Sequence, residues 1–168
     1  MINRRGLLTS GVALGALLAT SQFGEADMMT TTEAIDFKKL SDAEWRQRLS
    51  PEQYQVLRKQ GTERAGTSPL NHEKRKGTFA CAGCDLPLFS SDTKFESGTG
   101  WPSFFRPLAD AVDTHSDRSF FMVRTEVLCH RCAGHLGHVF DDGPAPTGLR
   151  YCMNGVALKF EAAPASAS

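Results

Sequence analysis

The hydrophobic pattern of the chain predicts two short helices followed by a series of short strands. Ser41 and Glu44 form an S-x-x-E capping box at the start of the segment DAEWRQRL. Ser50 and Gln53 form an equivalent box before the segment PEQYQVLRK, in which a proline occupies the first helical position. Gly61 is expected to end this second helix. The domain therefore begins with two helices.

Beyond the helices, residues 61–77 show no clear period and are expected to form a long loop. From residue 77 onward, short apolar runs alternate with turns rich in Gly, Pro, Asp and Ser, as tight antiparallel connections require. The strand candidates have these bounds: 77–83, 86–91, 103–108, 118–129, 137–142 and 148–162. We therefore expect a mainly β domain of the α+β class, with its helices at the N-terminal side.

The first 26 residues have the three-part layout of an export signal. Arg4 and Arg5 form a charged start, residues 6–19 are apolar, and small residues precede an expected cleavage after Ala26. The adjacent arginines favour the twin-arginine route, whose cargo is typically folded before export. An uncleaved anchor or a general secretory signal is the alternative, although the apolar run is shorter than the roughly 20 residues of a membrane span. We expect a periplasmic protein without stable membrane insertion.

The rest of the chain divides into a flexible tether at 27–36, one domain at 37–162 and a disordered tail at 163–168. A chain of 168 residues suffices for one domain. The 19 Lys and Arg residues balance the 19 Asp and Glu residues, so the net charge offers no argument for a nucleic-acid partner, and we expect none. A small β domain rich in glycine buries a thin core and would gain from a covalent or metal cross-link.

Four of the five cysteines form two C-x-x-C pairs, which predicts a metal site. The pairs are CAGC and CHRC, with the ligands Cys81, Cys84, Cys129 and Cys132. Two such turns facing each other supply four sulfurs in the tetrahedral geometry of one structural Zn²⁺. Two disulfides, a rubredoxin-like iron site and a thioredoxin-type redox pair are the competing interpretations. Zinc is favoured because neither pair opens a helix after a strand, as a redox motif would.

The fifth cysteine, Cys152, has no near partner in the sequence LRYCMNG. Free cysteines are among the most buried residues, so a small core residue is the simplest interpretation. The neighbourhood favours chemistry instead. His135 and His138 follow the second cysteine pair, and on a strand Asn154 faces the same side as Cys152. A nearby histidine can lower the pKa of a thiol or deliver a proton to a leaving group.

Trp101 lies in the turn SGTGWPSF, where it either plugs the core or forms the wall of an apolar pocket. Four motifs occur in this order: C-x-x-C, GTGWPSF, a second C-x-x-C, and HLGHVFDDGP-P-TG-RYC-N. On these four motifs, the chain resembles the methionine sulfoxide reductase B family over roughly residues 40–160. Two small departures are Gly155, where the family commonly has serine, and Gly134, where it commonly has alanine.

The resemblance implies reduction of the R epimer of methionine sulfoxide in peptides and proteins, and hence repair after oxidative stress. It implies two small antiparallel sheets, and it matches the four paired cysteines to a zinc site found in many members. The implied roles are as follows: Cys152 as nucleophile, His138 as proton donor, His135 and Asn154 as groups that polarise the site, and Trp101 with Phe140 as substrate-binding residues, the tryptophan packing on the substrate's ε-methyl group.

Regeneration is implied to differ from that of many members, which carry a resolving cysteine two residues before the tryptophan. Thr99 occupies that position here. We therefore expect a sulfenic acid on Cys152 to be reduced directly by an external thiol, with a thioredoxin-type protein as the donor and a monomeric enzyme. A non-catalytic, zinc-stapled β module that binds peptides and an electron-carrying iron protein are the alternatives, and neither has a role for Cys152.

Overall fold

The computed structural model describes residues 35–117 and 123–164. The predicted export signal at 1–26 lies outside them, as do most of the predicted tether and tail, so these boundaries stay predictions. Among the described helices, none is long and apolar enough to cross a membrane.

Two helices open the domain, α1 at Asp42–Arg48 and α2 at Pro51–Lys59, and both predicted capping boxes are present. The predicted end of α2 is one residue late. Gln60, with φ of 55°, is the left-handed residue that ends the helix. Gly61 donates its N–H to the Gln55 carbonyl at 2.9 Å. A Cβ at position 61 would lie 2.9 Å from that carbonyl oxygen, which explains the glycine.

Antiparallel strands make up the body of the domain. Their bounds are β1 Gly77–Cys81, β2 Pro87–Ser90, β3 Lys94–Phe95, β4 Ser103–Phe104, β5 Val112–Asp117, β6 Arg124–Cys129, β7 His135–Phe140, β8 Arg150–Met153 and β9 Leu158–Ala162. They form a three-stranded sheet in the order β2-β1-β9 and a six-stranded sheet in the order β3-β4-β8-β7-β6-β5. The expected mainly β fold, with two antiparallel sheets and short N-terminal helices, is confirmed.

Two strands, β3 and β5, were not predicted by the hydrophobic pattern. β5 has the sequence VDTHSD, and its central residues are exposed because it lies at the edge of the six-stranded sheet. An edge strand with a polar sequence carries no alternation to detect. The candidate at 118–129 is described only from residue 123, and its described part is β6. The β candidate at 103–108 shortens to two strand residues.

The segment 148–162, predicted as one strand, is divided between the two sheets as β8 and β9. A 3₁₀ turn at Gly155–Ala157 separates the two strands. A Cβ at Gly155 would lie 1.9 Å from the Ser68 hydroxyl oxygen, so the chain can cross here only without a side chain. The region predicted as an unbroken loop also contains a 3₁₀ turn, at Pro69–His72.

The core lies between the sheets and is built around phenylalanines. Phe104 stacks on Phe89 with ring centroids 4.3 Å apart and meets the edge of Phe79 at 4.9 Å. Val127 and Met153 are also fully buried. Because side chains alternate along a strand, the face of the six-stranded sheet opposite these core residues is left for the polar groups of the site.

Candidate active site and metal centre

The four paired cysteines meet in one buried cluster. Cys81 and Cys129 are the last residues of β1 and β6, and Cys84 and Cys132 lie in the turns that follow. The Cys81 and Cys132 sulfurs are 3.7 Å apart, and those of Cys84 and Cys129 are 3.5 Å apart. All four sulfur atoms lie within 4.8 Å of one another.

The dimensions of this cluster fit a tetrahedral metal ion. Metal–sulfur bonds of about 2.3 Å place the sulfurs of a tetrahedron about 3.8 Å apart, close to the 3.5 and 3.7 Å observed. A disulfide would need about 2.05 Å, and the described cysteines are free thiols. Hydrogen bonding with Cys129 raises the pKa of Cys81 and Cys132. Four thiolates so close together repel one another, so the cluster suits a cation.

The cluster also joins the two sheets, because β1 belongs to the smaller sheet and β6 to the larger. Two arginines secure the cysteine turns from outside. Arg58 of α2 donates to the Cys132 carbonyl at 3.1 Å, and Arg131 donates to the Cys84 carbonyl at 3.0 Å. The candidate metal centre therefore connects both sheets to the N-terminal helices.

Cys152 lies on β8, away from this cluster and between two strands of the same sheet. Its direct neighbours in the sheet are Ser103 on β4 and His138 on β7. Residues directly opposite each other on antiparallel strands project from the same face, with Cβ atoms about 5 Å apart. The sheet register therefore brings the predicted nucleophile beside the predicted proton donor.

Burial and hydrogen bonding shift the pKa of the Cys152 thiol in opposite directions. Burial raises its pKa above the usual value, because an apolar environment disfavours the charged thiolate. Hydrogen bonding from Thr99, whose hydroxyl oxygen is 3.7 Å from the sulfur, lowers the pKa, and the positive charge of Arg150 acts in the same direction. The thiol is half-buried and is in reach of a ligand.

A cavity of about 150 Å³ opens beside Cys152. It is lined by Thr62, Trp101, Arg124, Gly137, His138, Phe140, Cys152 and Asn154. Five of the six residues predicted for catalysis and substrate binding are thus brought together. The sixth, His135, lies outside the lining. The four cluster cysteines do not contribute to it.

The two histidines project from the same face because of a register shift between β6 and β7. In a regular strand, His135 and His138 would lie on opposite faces. The shift pairs Leu128 with His135 and Glu126 with His138, and the two imidazole rings lie 5.4 Å apart. His138 is the histidine at the cavity, and its Nε2 lies 2.9 Å from a carboxylate oxygen of Asp117.

His135 is buried behind His138. Its Nδ1 lies 2.6 Å from a carboxylate oxygen of Glu126, and its Nε2 has no hydrogen-bond partner among the described residues. Burial lowers the pKa of His135, despite the opposing carboxylate. The arrangement places His135 where it can orient His138 rather than touch a ligand in the cavity.

Asn154 connects three segments of the chain through its side chain. Its amide oxygen accepts a hydrogen bond from the Glu63 N–H at 3.0 Å, and its amide nitrogen donates to the Leu136 carbonyl at 3.1 Å. Asn154 is 3% exposed. Both polar atoms are thus engaged with backbone, which indicates that this side chain holds the frame of the cavity.

Glu63 was missed by the sequence reasoning, which assigned no role to its loop. Its carboxylate accepts hydrogen bonds from the N–H groups of Gly155 at 2.6 Å and Val156 at 3.0 Å. Its carbonyl oxygen accepts one from the Trp101 indole at 3.2 Å. Through these contacts, Glu63 fixes the tryptophan and the Asn154 segment relative to each other. No pattern in the sequence marks it, because its partners are mostly backbone groups.

Arg150 was also missed, although strand parity could have found it, because it lies two residues before Cys152 on β8. Its guanidinium forms two 2.8 Å hydrogen bonds with Asp142 and lies 4.4 Å from the centre of the Phe140 ring. Arg150 is therefore held rigidly next to the thiol and supports one wall of the cavity.

Comparison with known proteins identifies the family of the chain. The SelR domain matches residues 49–162. The chain belongs to the methionine sulfoxide reductase B family. A peptide methionine sulfoxide reductase MsrB of Leptospira interrogans is 58% identical over 122 residues, which cover 72% of this chain and 93% of the relative. One of Pseudomonas putida is 60% identical over 120 residues, covering 70% and 90%.

A third methionine sulfoxide reductase, the chloroplastic B1 protein of Arabidopsis thaliana, is 48% identical over 159 residues. The match covers 94% of this chain and 77% of the relative. The family assignment, predicted from the two cysteine pairs and the motifs between them, is confirmed.

Close contacts with neighbouring residues explain why glycine is found at positions 155 and 134, where the family commonly has serine and alanine. Ser68 already fills the space that a side chain at Gly155 would need. At Gly134, a Cβ would lie 3.0 Å from Leu57 and 3.2 Å from the Cys132 sulfur. An alanine there would require α2 or the cysteine turn to give way by a few tenths of an ångström.

Proposed function

We propose that the protein reduces the R epimer of methionine sulfoxide, in peptides and proteins, to methionine. The observation that carries the proposal is the pairing of Cys152 with His138 across β7 and β8 at the wall of an open cavity. The sheet register supports it, because a nucleophile and a proton donor have to face the same ligand. A non-catalytic peptide-binding module would have no use for a thiol facing an imidazole.

The chemical step would be attack of the Cys152 thiolate on the sulfur of the sulfoxide. A bond forms between the two sulfurs, the sulfoxide oxygen takes up a proton, and the oxygen then transfers to Cys152 as the sulfur–sulfur bond breaks. The products are methionine and a sulfenic acid on Cys152. The substrate sulfur gains two electrons and the cysteine sulfur loses two, so one thiolate, one sulfoxide and one proton account for both products.

His138 would supply that proton, since an imidazole can act as a general acid and lies directly across from Cys152 in the sheet. Its neighbour Asp117 holds the ring in place from the side opposite the cysteine strand, at 2.9 Å from Nε2. His135 and Glu126 would restrain the ring from behind, since the two imidazoles lie 5.4 Å apart. In this proposal, His135 and Asn154 are positioning residues.

Trp101 and Phe140 would form the apolar walls that receive the substrate side chain. The Trp101 indole is fixed through its N–H by the Glu63 carbonyl, and the Phe140 ring is fixed by the Arg150 guanidinium. Rigid walls on both sides of a fixed sulfur nucleophile favour one arrangement of the methyl group, oxygen and lone pair around the sulfoxide. This supports selection of one epimer.

Regeneration would use a thiol from another molecule. Thr99, at 3.7 Å from the Cys152 sulfur, occupies the place from which a resolving cysteine would act. The donor thiol would displace water from the sulfenic acid to form a mixed disulfide, and a second donor thiol would release the reduced Cys152. We propose a thioredoxin-type protein as the donor, because it supplies two thiols in one molecule.

We propose Zn²⁺ for the four-cysteine cluster, with a structural role. Four protein ligands leave no open position on a tetrahedral ion, and the sulfur distances suit Zn–S bonds. When bound, zinc would supply a cross-link between the two sheets. All proposed catalytic groups come from a single chain, so we propose that a monomer is active.

We further propose that residues 1–26 direct the protein to the periplasm by the twin-arginine route. The support is the arginine pair followed by an apolar run. The family match begins only at residue 49, which leaves room for such a segment before the domain. Replacement of Arg4 and Arg5 by lysine should retain the protein in the cytosolic fraction, whereas unchanged periplasmic recovery would contradict the route.

The decisive experiment is an assay on separated epimers of a methionine sulfoxide peptide. We expect the native protein, with dithiothreitol as reductant, to convert the R epimer and leave the S epimer. A sulfenic-acid probe added without reductant should label Cys152. Equal conversion of both epimers, or labelling replaced by a disulfide from Cys152 to a cluster cysteine, would contradict the proposal.

A further inference from the structure

Three hydroxyl groups form a hydrogen-bonded chain that ends at the Cys152 sulfur. The Thr99 hydroxyl lies 3.7 Å from the sulfur and 2.8 Å from the Ser97 hydroxyl. The Ser97 hydroxyl lies 2.7 Å from that of Ser103, which donates to the Trp101 carbonyl at 3.1 Å. The chain runs from the thiol, through the turn between β3 and β4, to the backbone of the tryptophan at the cavity.

When Cys152 is a neutral thiol, a count of the available hydrogens shows which group donates and which accepts in each of these hydrogen bonds. The chain contains four hydrogen bonds, and four hydrogens are available: one on the thiol and one on each hydroxyl. Since Ser103 donates to the Trp101 carbonyl, Ser97 must donate to Ser103 and Thr99 to Ser97. The thiol then donates to Thr99. Every bond is made, and the Thr99 hydroxyl serves Cys152 only as an acceptor.

Loss of the thiol proton changes this count. A thiolate can only accept, so Thr99 turns its hydrogen to the sulfur, and three hydrogens are left for four contacts. In the reversed chain, Ser97 donates to Thr99 and Ser103 donates to Ser97, and the bond from Ser103 to the Trp101 carbonyl is given up. Only the three hydroxyl hydrogens rotate, and no heavy atom moves. In a half-buried site, such aligned hydrogen bonds reinforce one another, and each bond to a charged acceptor is stronger than one to a neutral acceptor.

We propose that the hydroxyls of Thr99, Ser97 and Ser103 reverse direction together to stabilise the Cys152 thiolate, with Thr99 as a catalytic residue that donates to the reacting sulfur. The proposal deepens the proposed reductase function, on which it rests. It assigns the turn before Trp101 a role in activating the nucleophile.

Other charged groups also face the thiol. They are Arg150 from the same strand, His138 from β7, and Arg124 from β6, which lines the cavity. From the loop before β1, the Glu63 carboxylate is turned to the amides of Gly155 and Val156. In the turn and β4, the charged residue Glu96 pairs with Lys94 at 3.6 Å, and the groups hydrogen-bonded in line with the thiol are hydroxyls. Substitutions of these hydroxyls therefore leave all charges in place and test the hydrogen bonds alone.

The test measures ionisation of Cys152 without any sulfoxide. The rate of alkylation by iodoacetamide is followed against pH on the zinc-loaded protein, and the rate of Cys152→Ser protein is subtracted to remove any contribution of the cluster. The variants are Thr99→Val, which keeps the shape and removes the hydroxyl, Thr99→Ser, which keeps the hydroxyl, and Ser97→Ala. Thr114→Val is the matched control, because Thr114 is exposed on the edge strand β5.

We expect the Thr99→Val profile to move to higher pH by about one unit, which is a tenfold lower thiolate fraction at neutral pH. Thr99→Ser should restore the native profile. Ser97→Ala should reduce the thiolate fraction roughly twofold to threefold, because it interrupts the chain one step further away. Thr114→Val should have no effect.

An unchanged profile in Thr99→Val would overturn the proposal, and so would a shift that Thr99→Ser fails to restore, since the methyl group would then be the cause. A melting temperature of each variant within the native range confirms that the fold is retained. If the native protein fails to reduce methionine sulfoxide, the proposed function fails, whereas the alkylation profiles still decide the role of the hydroxyls.

Discussion

The four cluster cysteines and Cys152 carry the same side chain in two different environments. Each cluster cysteine is at most 3% exposed, and its sulfur lies within 4.8 Å of three other sulfur atoms. Cys152 is half-buried, faces a cavity, and has a hydroxyl, a guanidinium and an imidazole around it. The cluster joins two sheets, whereas Cys152 lies inside one of them.

The difference shows that the neighbours of a thiol decide what it does. A sulfur surrounded by sulfurs is satisfied by sharing a cation and is closed to other ligands. A sulfur with single donors on one side and open space on the other has groups that offset part of the cost of burying its thiolate, and it remains accessible. One small domain thus places cysteine both in a closed cluster and beside an open cavity, which we propose serve cross-linking and reaction, and substitutions should separate the two proposed uses.

The largest effect is expected from Cys152→Ser. A serine hydroxyl is a far weaker nucleophile near neutral pH, so reduction of methionine sulfoxide should fall by more than about a thousandfold. Metal content and melting temperature should stay at the native values, because the cluster does not include this residue. Retained turnover, measured as methionine released per mole of enzyme, would contradict the role of Cys152.

The second largest effect is expected from a substitution in the four-cysteine cluster. Cys129→Ser removes one sulfur from the cluster, and we expect loss of the bound metal and a decrease of more than about 3 kcal/mol in the free energy of unfolding. Metal analysis and denaturant unfolding measure both. Cys152→Ser is the matched control, since it is the same substitution outside the cluster. If Cys129→Ser lost the metal but kept the native free energy of unfolding, the cluster would not stabilise the contact between the sheets.

A third substitution should affect the Cys152 cavity and leave the cluster intact. Glu63→Ala removes the acceptor of the Gly155 and Val156 amides, so Trp101 and the Asn154 segment lose their common support. We expect kcat/KM to fall roughly tenfold or more, mainly through KM, with unchanged metal content. Glu63→Gln keeps one carbonyl acceptor and should recover part of the loss.

A change in indole fluorescence of Glu63→Ala should accompany the kinetic effect, because loss of the carboxylate bonds to Gly155 and Val156 releases the Glu63 backbone, whose carbonyl holds the Trp101 indole. Trp45, the buried residue of α1, supplies a constant background. A fall in stability with the native KM and an unchanged spectrum would show that Glu63 only supports the fold.

The smallest effect concerns stability at alkaline pH. Because burial raises the pKa of Cys152 in the folded state above its ordinary 9.0, the unfolded chain loses this proton first. The free energy of unfolding should therefore decrease as pH rises from about 9 through the higher folded value. Cys152→Ser should lack this part of the decrease. Parallel curves for native and variant protein in denaturant titrations from pH 8 to 11 would contradict the expected raised pKa.

The four-cysteine cluster, the free Cys152 and the helix starts could be predicted from the sequence, because each depends on the spacing of nearby residues. Two C-x-x-C turns specify a cluster wherever the fold brings them together, and strand parity places Asn154 with Cys152. The capping boxes of both helices are local for the same reason.

The remaining features depend on contacts between distant segments. The register shift that places His135 beside His138 involves pairing with β6, which no pattern in HLGHVF reveals. Glu63 acts on residues more than 90 positions away, through their backbone. The edge strand β5 provides Asp117, the partner of His138, from a polar segment without alternation.

The place of β8 inside the six-stranded sheet has a kinetic consequence. β4 and β7 pair with it on both sides of Cys152, so the sulfur is anchored by a backbone that has no free edge. The sulfoxide and the thiol donor then have to reach the sulfur in turn through the cavity beside it. Because methionine leaves before the donor reacts with the proposed sulfenic acid, the kinetics should be ping-pong. Double-reciprocal plots at several donor concentrations should therefore be parallel lines, and intersecting lines, which indicate that both reactants are bound at once, would contradict this order.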